Sequence, residues 1–549
     1  MPNADLPNLV PLDPSPVIMD SIMSRPLVST LFAADGFQLA SLSALLVTVL
    51  VFVRFSKRNP SNPQNLPLPP GPRGLPVLGN LLQIPSEHYW LKFDEWIREY
   101  GPIVSINLAG KPVIILGTPK VAAELFDRRS AIYSDRPRWV LAYEILAKGM
   151  HAGVMPYGDK LRRFRKAIHA GLQPRALASY HPIEEREARI YLKEVSKNPT
   201  DFRNSVKRFT GAVIMSTTYG HTVTTFKDDK FVRRIFASAA RFAGSLAPGE
   251  FMVDVFPWLW YIPSWVPGAG WKKKAAKWAQ EDHELFSTMR EAARANGDKQ
   301  KSFISEGLSN AYGVNEEELA YIGGTISQTP DTLMSVSSCF MLAMVRWPEI
   351  QKRAQAEIDS VVGRGRFPTY ADQPNLPYVT AVVKETCRWR PVAPLSVPHA
   401  STQDDVYEGY FIPAGTTVIS SIWSIHRDPE TYPDPDSFNP ERFIDEHGNE
   451  KNTKESKAFG HHLYGFGRRL CPGATMADQA VWVFASHILW ALNLDREKDE
   501  FGKEIVPDVS PLMFTSGGEA SHPLPFKCKI SVRPGVDDFL DEIELPTAI

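Results

Sequence analysis

Apolar residues run together over residues 36–53, where most side chains are Leu, Val, Ala or Phe and none is charged. Wound as a helix at 1.5 Å per residue, this segment is about 27 Å long, close to the thickness of an endoplasmic-reticulum bilayer. It reads as a single membrane span. Arg54, Lys57 and Arg58 follow it, whereas the leader, residues 1–35, holds Asp5, Asp13, Asp20 and Asp35 against one Arg25. Positive charge behind the span places the body in the cytosol. A cleaved signal peptide is disfavoured, because the leader is long and acidic and no Ala-x-Ala site follows the apolar run. The Asn-x-Ser/Thr triplets at Asn59 and Asn198 have Pro at x and accept no glycan, which agrees with a cytosolic face.

Residues 54–74 form a basic and Pro-rich linker ending in Pro67-Leu-Pro-Pro-Gly-Pro-Arg-Gly74, which cannot be helical and reads as an extended connector. The remainder, residues 75–549, is one catalytic-sized body. Short apolar strands at 103–108 and 112–116 alternate with helical patterns such as 121–129 and 378–390, and helices dominate from about residue 270. An aromatic stretch at 251–265 is too broken by Pro to cross a bilayer. It reads either as a loop dipping into the membrane interface or as an ordinary aromatic core loop.

Composition narrows the classes. A chain of 549 residues with 43% hydrophobic and 22% charged residues is neither disordered nor a coiled coil. Lys plus Arg (61) balance Asp plus Glu (62), so no bulk charge attracts nucleic acid. Cys339, Cys387, Cys471 and Cys528 are widely spaced with no CxxC pair, which argues against a zinc module or a disulfide scaffold.

The sharpest chemical signal is Tyr464-Gly-Phe-Gly-Arg-Arg-Leu-Cys-Pro-Gly473, followed by a helical pattern over 474–492. Gly465 and Gly467 permit a tight turn beside a flat ligand, and Cys471 precedes a helix N-terminus, which favours a thiolate. The other three cysteines read as small buried hydrophobes. Upstream, Glu385 and Arg388 stand at i and i+3 on one helix face, where they can pair. Taken alone, such a pair is usually a solvated one.

Together these segments resemble the cytochrome P-450 family, and the resemblance covers nearly the whole body. It implies a mainly α fold with small β-sheets (α+β), a single large catalytic domain behind an N-terminal transmembrane helix. It implies that Cys471 is the axial thiolate ligand of haem iron and that Arg469 contacts a haem propionate. Tyr464 stands where the family usually has Phe. Asn439-Pro-Glu-Arg-Phe443 resembles the second Arg motif, so Glu385, Arg388 and Arg442 would form the buried triad that braces the haem-side core. Asp331 and Thr332 match the acid–alcohol pair of the distal helix, whose role is to steer protons toward the haem. Pro330 should kink that helix, and Thr329 replaces a common Gly. The alternative is that Asp331 caps a helix restarted after Pro330 and that Thr332 merely packs. Arg165 fits a propionate contact although Leu161 replaces the accompanying Trp, and His399 stands where a basic residue is frequent, against a plain buried or surface histidine.

The implied cofactors are haem b and NADPH, the latter acting through a separate reductase, since no G-x-G-x-x-G dinucleotide fingerprint is present. NADPH–cytochrome P-450 reductase is the expected partner, with cytochrome b5 as an alternative donor. The basic run Lys160, Arg162, Arg163 and Lys166 is either a solvated face or part of that docking surface. Substrate walls by family layout are residues 134–156, 243–265, the distal helix, 393–397 and 514–518, which are largely apolar and favour a hydrophobic substrate. The expected protein is thus a single-pass enzyme of the endoplasmic-reticulum membrane that inserts one O2-derived oxygen atom into a terpenoid or polyketide, of the type found in fungal secondary metabolism. Two other readings stand beside it: an O2-independent haem-thiolate isomerase or dehydratase, and a non-catalytic haem sensor.

Overall fold

Helix α1 (Tyr89–Tyr100) and the hairpin β1 (Ile103–Leu108) and β2 (Lys111–Leu116) come early in the body in this computed structural model. The structure describes residues 64–546 apart from 247–250, 298–299, 452–458 and 517–519, together with Thr48 and Asn62. The expected leader and membrane span thus lie outside the described residues, Thr48 excepted. Among the described residues no helix is long and apolar enough to cross a membrane.

The β1–β2 turn is Ala109-Gly110, with both residues at positive φ (50° and 90°), the two-residue hairpin that matches strand twist. Further strands are β3 (His399–Ala400), the β4–β5 hairpin (Asp405–Tyr407 and Tyr410–Ile412) and β6 (Thr417–Ser420). One sheet has the order β1-β2-β6-β3, with β2 and β6 parallel and the other neighbours antiparallel. The two-residue side-chain period divides this sheet's apolar residues between two clusters. Ile103, Ile114, Leu116 and Val418 face one, while Val104, Ile106, Val113 and Ile115 face the Trp90, Phe93 and Trp96 side chains of α1. A final hairpin pairs β7 (Leu492–Asp495) with β8 (Lys529–Val532).

The Pro-rich stretch from Pro67 belongs to the same compact unit, residues 67–549. Ser105 N donates to Pro70 O at 2.8 Å and Phe411 N to Pro67 O at 2.8 Å. Gly71 lies so close that an added Cβ would meet Ser105 O at 2.0 Å.

The helical layers follow in chain order: α2 (Asp159–Leu172), α3 (His181–Lys197), α4 (Phe202–Tyr219), α5 (Lys230–Leu246), α6 (Trp271–Asn296), α7 (Glu316–Ser327), α8 (Pro330–Arg346), α9 (Pro348–Val361), α10 (Pro377–Trp389) and α11 (Ala474–Ala491). Helices α4, α8, α10 and α11 are buried on nearly every face over most of their length, and the charges of α10 are buried as pairs. They share one large core with Phe209, Phe340, Trp389, Phe484 and Trp490. The architecture is mainly helical with small sheets, as the sequence implies.

The expected kink at Pro330 is a full break. Proline has no N–H for Ile326 O, and the hydroxyl of Thr329 takes that carbonyl instead, at 2.7 Å. Helix α7 therefore stops at Ser327, and α8 restarts with Pro330 in its first position.

Candidate active site

The cysteine loop is shaped by two glycines at positive φ, Gly465 (79°) and Gly467 (56°). An added Cβ on Gly467 would meet Phe126 O at 2.0 Å, and its N–H donates to Asp127 Oδ1 at 2.6 Å. The loop closes through Cys471 N donating to Tyr464 O at 2.9 Å. Cys471 then stands three residues before α11 begins. Its side chain is exposed by area, unlike the buried Cys339, Cys387 and Cys528. Protein nevertheless rings it at slightly longer range, so burial pushes its thiol up, opposed by the Gly473 N–H and the Arg165 charge. The exposed area is what lets Sγ reach a ligand.

Arg165, on α2, comes to this loop and donates to Leu470 O at 2.7 Å. Arg469 is buried, with Nε donating to Ser134 O (2.7 Å) and Nη2 to Met155 O (2.6 Å), so it pins the 134–155 segment against the cysteine loop. His399, on β3, lies against the Phe126 ring with centroids 4.0 Å apart. Its Nδ1 is 2.7 Å from Tyr133 O and so carries the proton. Burial, followed by the Arg136 charge, drives its basicity well down. Tyr464 packs its ring against Phe459 and His461 at 4.8 and 5.4 Å.

Behind the loop, Glu385 and Arg388 meet through two hydrogen bonds of 2.6 and 2.8 Å, and both side chains are wholly buried. Arg442 reaches Glu385 Oε1 at 3.4 Å, and Asn439 N donates to the same oxygen at 2.7 Å. Arg388 also donates to His426 O and Pro435 O, at 3.0 and 2.8 Å. The structure thus brings together the three residues that the sequence grouped as a triad.

At the helix break, Asp331 lies in the first turn of α8, and Thr332 Oγ1 donates back to Thr329 O at 2.8 Å. Asp331 has a partner that the sequence reading missed. His522 Nε2 is 3.0 Å from Asp331 Oδ2. The two residues are 191 positions apart and His522 belongs to no periodic pattern, so no local signal announced it. Arg136 was missed for the same reason: it donates to Gly153 O, Val397 O and Pro398 O, binding its own segment to two others.

An accessible sulfur beside a loop of glycines, with Arg165 close by and a rigid ionic frame behind it, is a donor set suited to a flat, anionic metal macrocycle. The residues present therefore fit haem. The cytochrome P-450 family model matches residues 69–513. The chain belongs to the cytochrome P-450 family. It is 41% identical over 478 residues to cytochrome P-450 monooxygenase 58 of Postia placenta, covering 86% of this chain and 89% of that protein. A cytochrome P-450 monooxygenase of Armillaria gallica is 40% identical over 500 residues, 90% of this chain and 94% of its own length. The monooxygenase claR of Ampulloclitocybe clavipes is 37% identical over 478 residues, covering 85% and 86% of the two chains. The protein is accordingly an oxidoreductase that uses molecular oxygen, and family membership implies haem.

Proposed function

We propose that this cytochrome P-450 is a membrane-anchored haem-thiolate monooxygenase acting on a hydrophobic small molecule of the terpenoid or polyketide kind. The observation that carries the reading is Cys471, an accessible sulfur on a glycine-shaped loop just ahead of α11. When bound there, thiolate-ligated haem supplies the chemistry that activates O2 for insertion of one oxygen atom into a C–H bond.

The chain's own residues do the rest. Cys471 is the ligand, and Arg165 stabilises its negative charge. Glu385, Arg388 and Arg442 hold the cysteine side of the site rigid, while Arg469 fixes the 134–155 segment that forms one wall. Asp331 is the acid that moves protons from solvent toward the haem, with Thr332 beside it. The 134–156 wall includes the buried apolar residues Val140, Leu141, Val154 and Met155, which favours a hydrophobic substrate and excludes water. Electrons come from NADPH through a separate reductase. The exposed Lys160, Arg162, Arg163 and Lys166 on α2 would receive it, although Arg162 pairs with Asp159 and Arg163 with Glu318. The apolar run at 36–53 supports an anchor in the endoplasmic-reticulum membrane with the body in the cytosol.

The test is product mass. Membranes carrying this chain and a matched reductase are incubated with terpenoid and polyketide scaffolds, with and without NADPH and O2. The expected result is an NADPH-dependent product heavier by one oxygen atom. An isobaric or dehydrated product without NADPH would instead support an isomerase, for which the broken distal helix is the one structural argument.

A further inference from the structure

Asp331 and Ser335 stand at i and i+4 of α8 and so share a face. The same loop of the C-terminal region meets both. His522 Nε2 lies 3.0 Å from Asp331 Oδ2, and Ser335 Oγ donates to Ser521 O at 2.5 Å. That loop is closed on itself: Thr515 N donates to His522 O at 2.8 Å, and His522 N to Thr515 Oγ1 at 2.9 Å. It is also tied to the segment after α10 by Ser521 N donating to Val392 O at 2.7 Å. The imidazole therefore sits in a fixed frame. Its Nδ1 is buried and has no hydrogen-bond partner among the described residues, so the ring's polar commitment there is to Asp331. The carboxylate is the more accessible partner, with its side chain 35% exposed against 17% for His522. A carboxylate can only accept, so His522 Nε2–H is the donor, and this charge-assisted bond restricts carboxylate rotation.

We propose that His522 is a positioning residue for Asp331. It holds one carboxylate oxygen and leaves the other to pass protons, and it thereby sets how reduced oxygen divides between water and hydrogen peroxide. The inference rests on the reading of Asp331 as the proton-passing acid. Two balanced reactions compete when no substrate is present. In one, O2, NADPH and H+ give H2O2 and NADP+. In the other, O2, two NADPH and two H+ give two H2O and two NADP+. The second needs protons delivered in time for O–O cleavage, so a poorly held acid favours the first.

The experiment uses the haem-loaded full chain in membranes with a reductase, NADPH and O2, and reads H2O2 released per NADPH consumed. The variants are Asp331→Asn, His522→Leu, His522→Gln and the Asp331→Asn/His522→Leu double. His522→Leu should raise the ratio by about threefold, toward that of Asp331→Asn, as expected for coupled groups in contact. The double variant should add nothing further, and His522→Gln, which keeps an N–H donor, should restore most of the wild-type ratio. A second readout needs no turnover: the urea midpoints of the two single variants and the double should be non-additive. A wild-type ratio in His522→Leu alongside a raised one in Asp331→Asn overturns the inference alone. An unshifted Asp331→Asn overturns the acid reading first, leaving His522 as a mere clip. A wild-type chain that already releases one H2O2 per NADPH counts against the inference too, because no proton route then competes.

Discussion

Cys471 differs from the other cysteines by its surroundings. Burial pushes the thiols of Cys339 and Cys528 up to about 12, and it pushes the Cys471 thiol up too, but Cys471 alone of the three is accessible and faces the Arg165 charge and the Gly473 N–H, which pull it back. Cys471→Ala should therefore abolish the thiolate-type absorption of the reduced carbon-monoxide complex. An unchanged spectrum would refute the ligand assignment. Glu184 is a residue-scale case remote from that chemistry. It is buried on α3, and Tyr370 OH donates to its Oε2. Burial pushes its carboxyl from near 4.5 up to about 8, with the Tyr370 bond pulling partly back. Between those values the folded chain keeps a proton that the unfolded chain has lost, so stability falls as pH rises through that window. The loss is about 5 kcal/mol at most. Glu184→Gln should flatten the decline of the unfolding midpoint between pH 5 and pH 8, and parallel curves for the two proteins would sink the assignment.

Among the elements, the ionic frame behind the cysteine loop is the one whose removal should be felt most. Glu385 accepts from Arg388, Arg442 and the Asn439 N–H, so Glu385→Ala leaves Arg388 buried with its charge uncompensated. Breaking such a buried network typically costs ~3 to 5 kcal/mol. The expected result is a purified protein poor in haem rather than a slow enzyme, checked by haem-to-protein ratio. Recovery at wild-type haem content would argue that the triad is ornamental. The distal element shows how far local chemistry could be read in advance. Thr329-Pro330 foretold a kink, because a proline leaves Ile326 O without its helical donor. That the Thr329 hydroxyl would take the carbonyl over and let α8 restart at Pro330 was a choice between rotamers, visible only in the folded chain.

For the whole molecule, the open question of the sequence was the aromatic stretch at 251–265. It divides its residues. Phe251 and Leu259 pack against the core, whereas Trp258, Tyr261 and Trp265 are 61%, 81% and 79% exposed. Lys273, Lys274 and Lys277 stand exposed on the adjoining helix α6. Exposed indole and phenol rings, followed in the chain by exposed lysines, suit a membrane interface with anionic headgroups. A chain lacking residues 1–66 should still bind anionic vesicles, and the triple variant Trp258→Ser/Tyr261→Ser/Trp265→Ser should weaken that binding about tenfold in sedimentation. Equal binding of the two would leave the patch without a membrane role. What the sequence determined by itself was whatever contiguous residues or a fixed helical spacing could encode: the glycine-shaped cysteine loop, the Glu385–Arg388 pair, the apolar run at 36–53 and the strands of the first hairpin. What only the tertiary structure decided was every assignment that depends on residues far apart in the chain. Arg469 is committed to carbonyls of the 134–155 segment, the basicity of His399 is driven down by burial and the Arg136 charge against the opposing bond to Tyr133 O, and Asp331 is met by His522. The physical reason is the same in each case. A side chain's hydrogen bonds and charge state are set by the groups within a few ångströms of it, and linear spacing fixes those groups only within one turn or one hairpin.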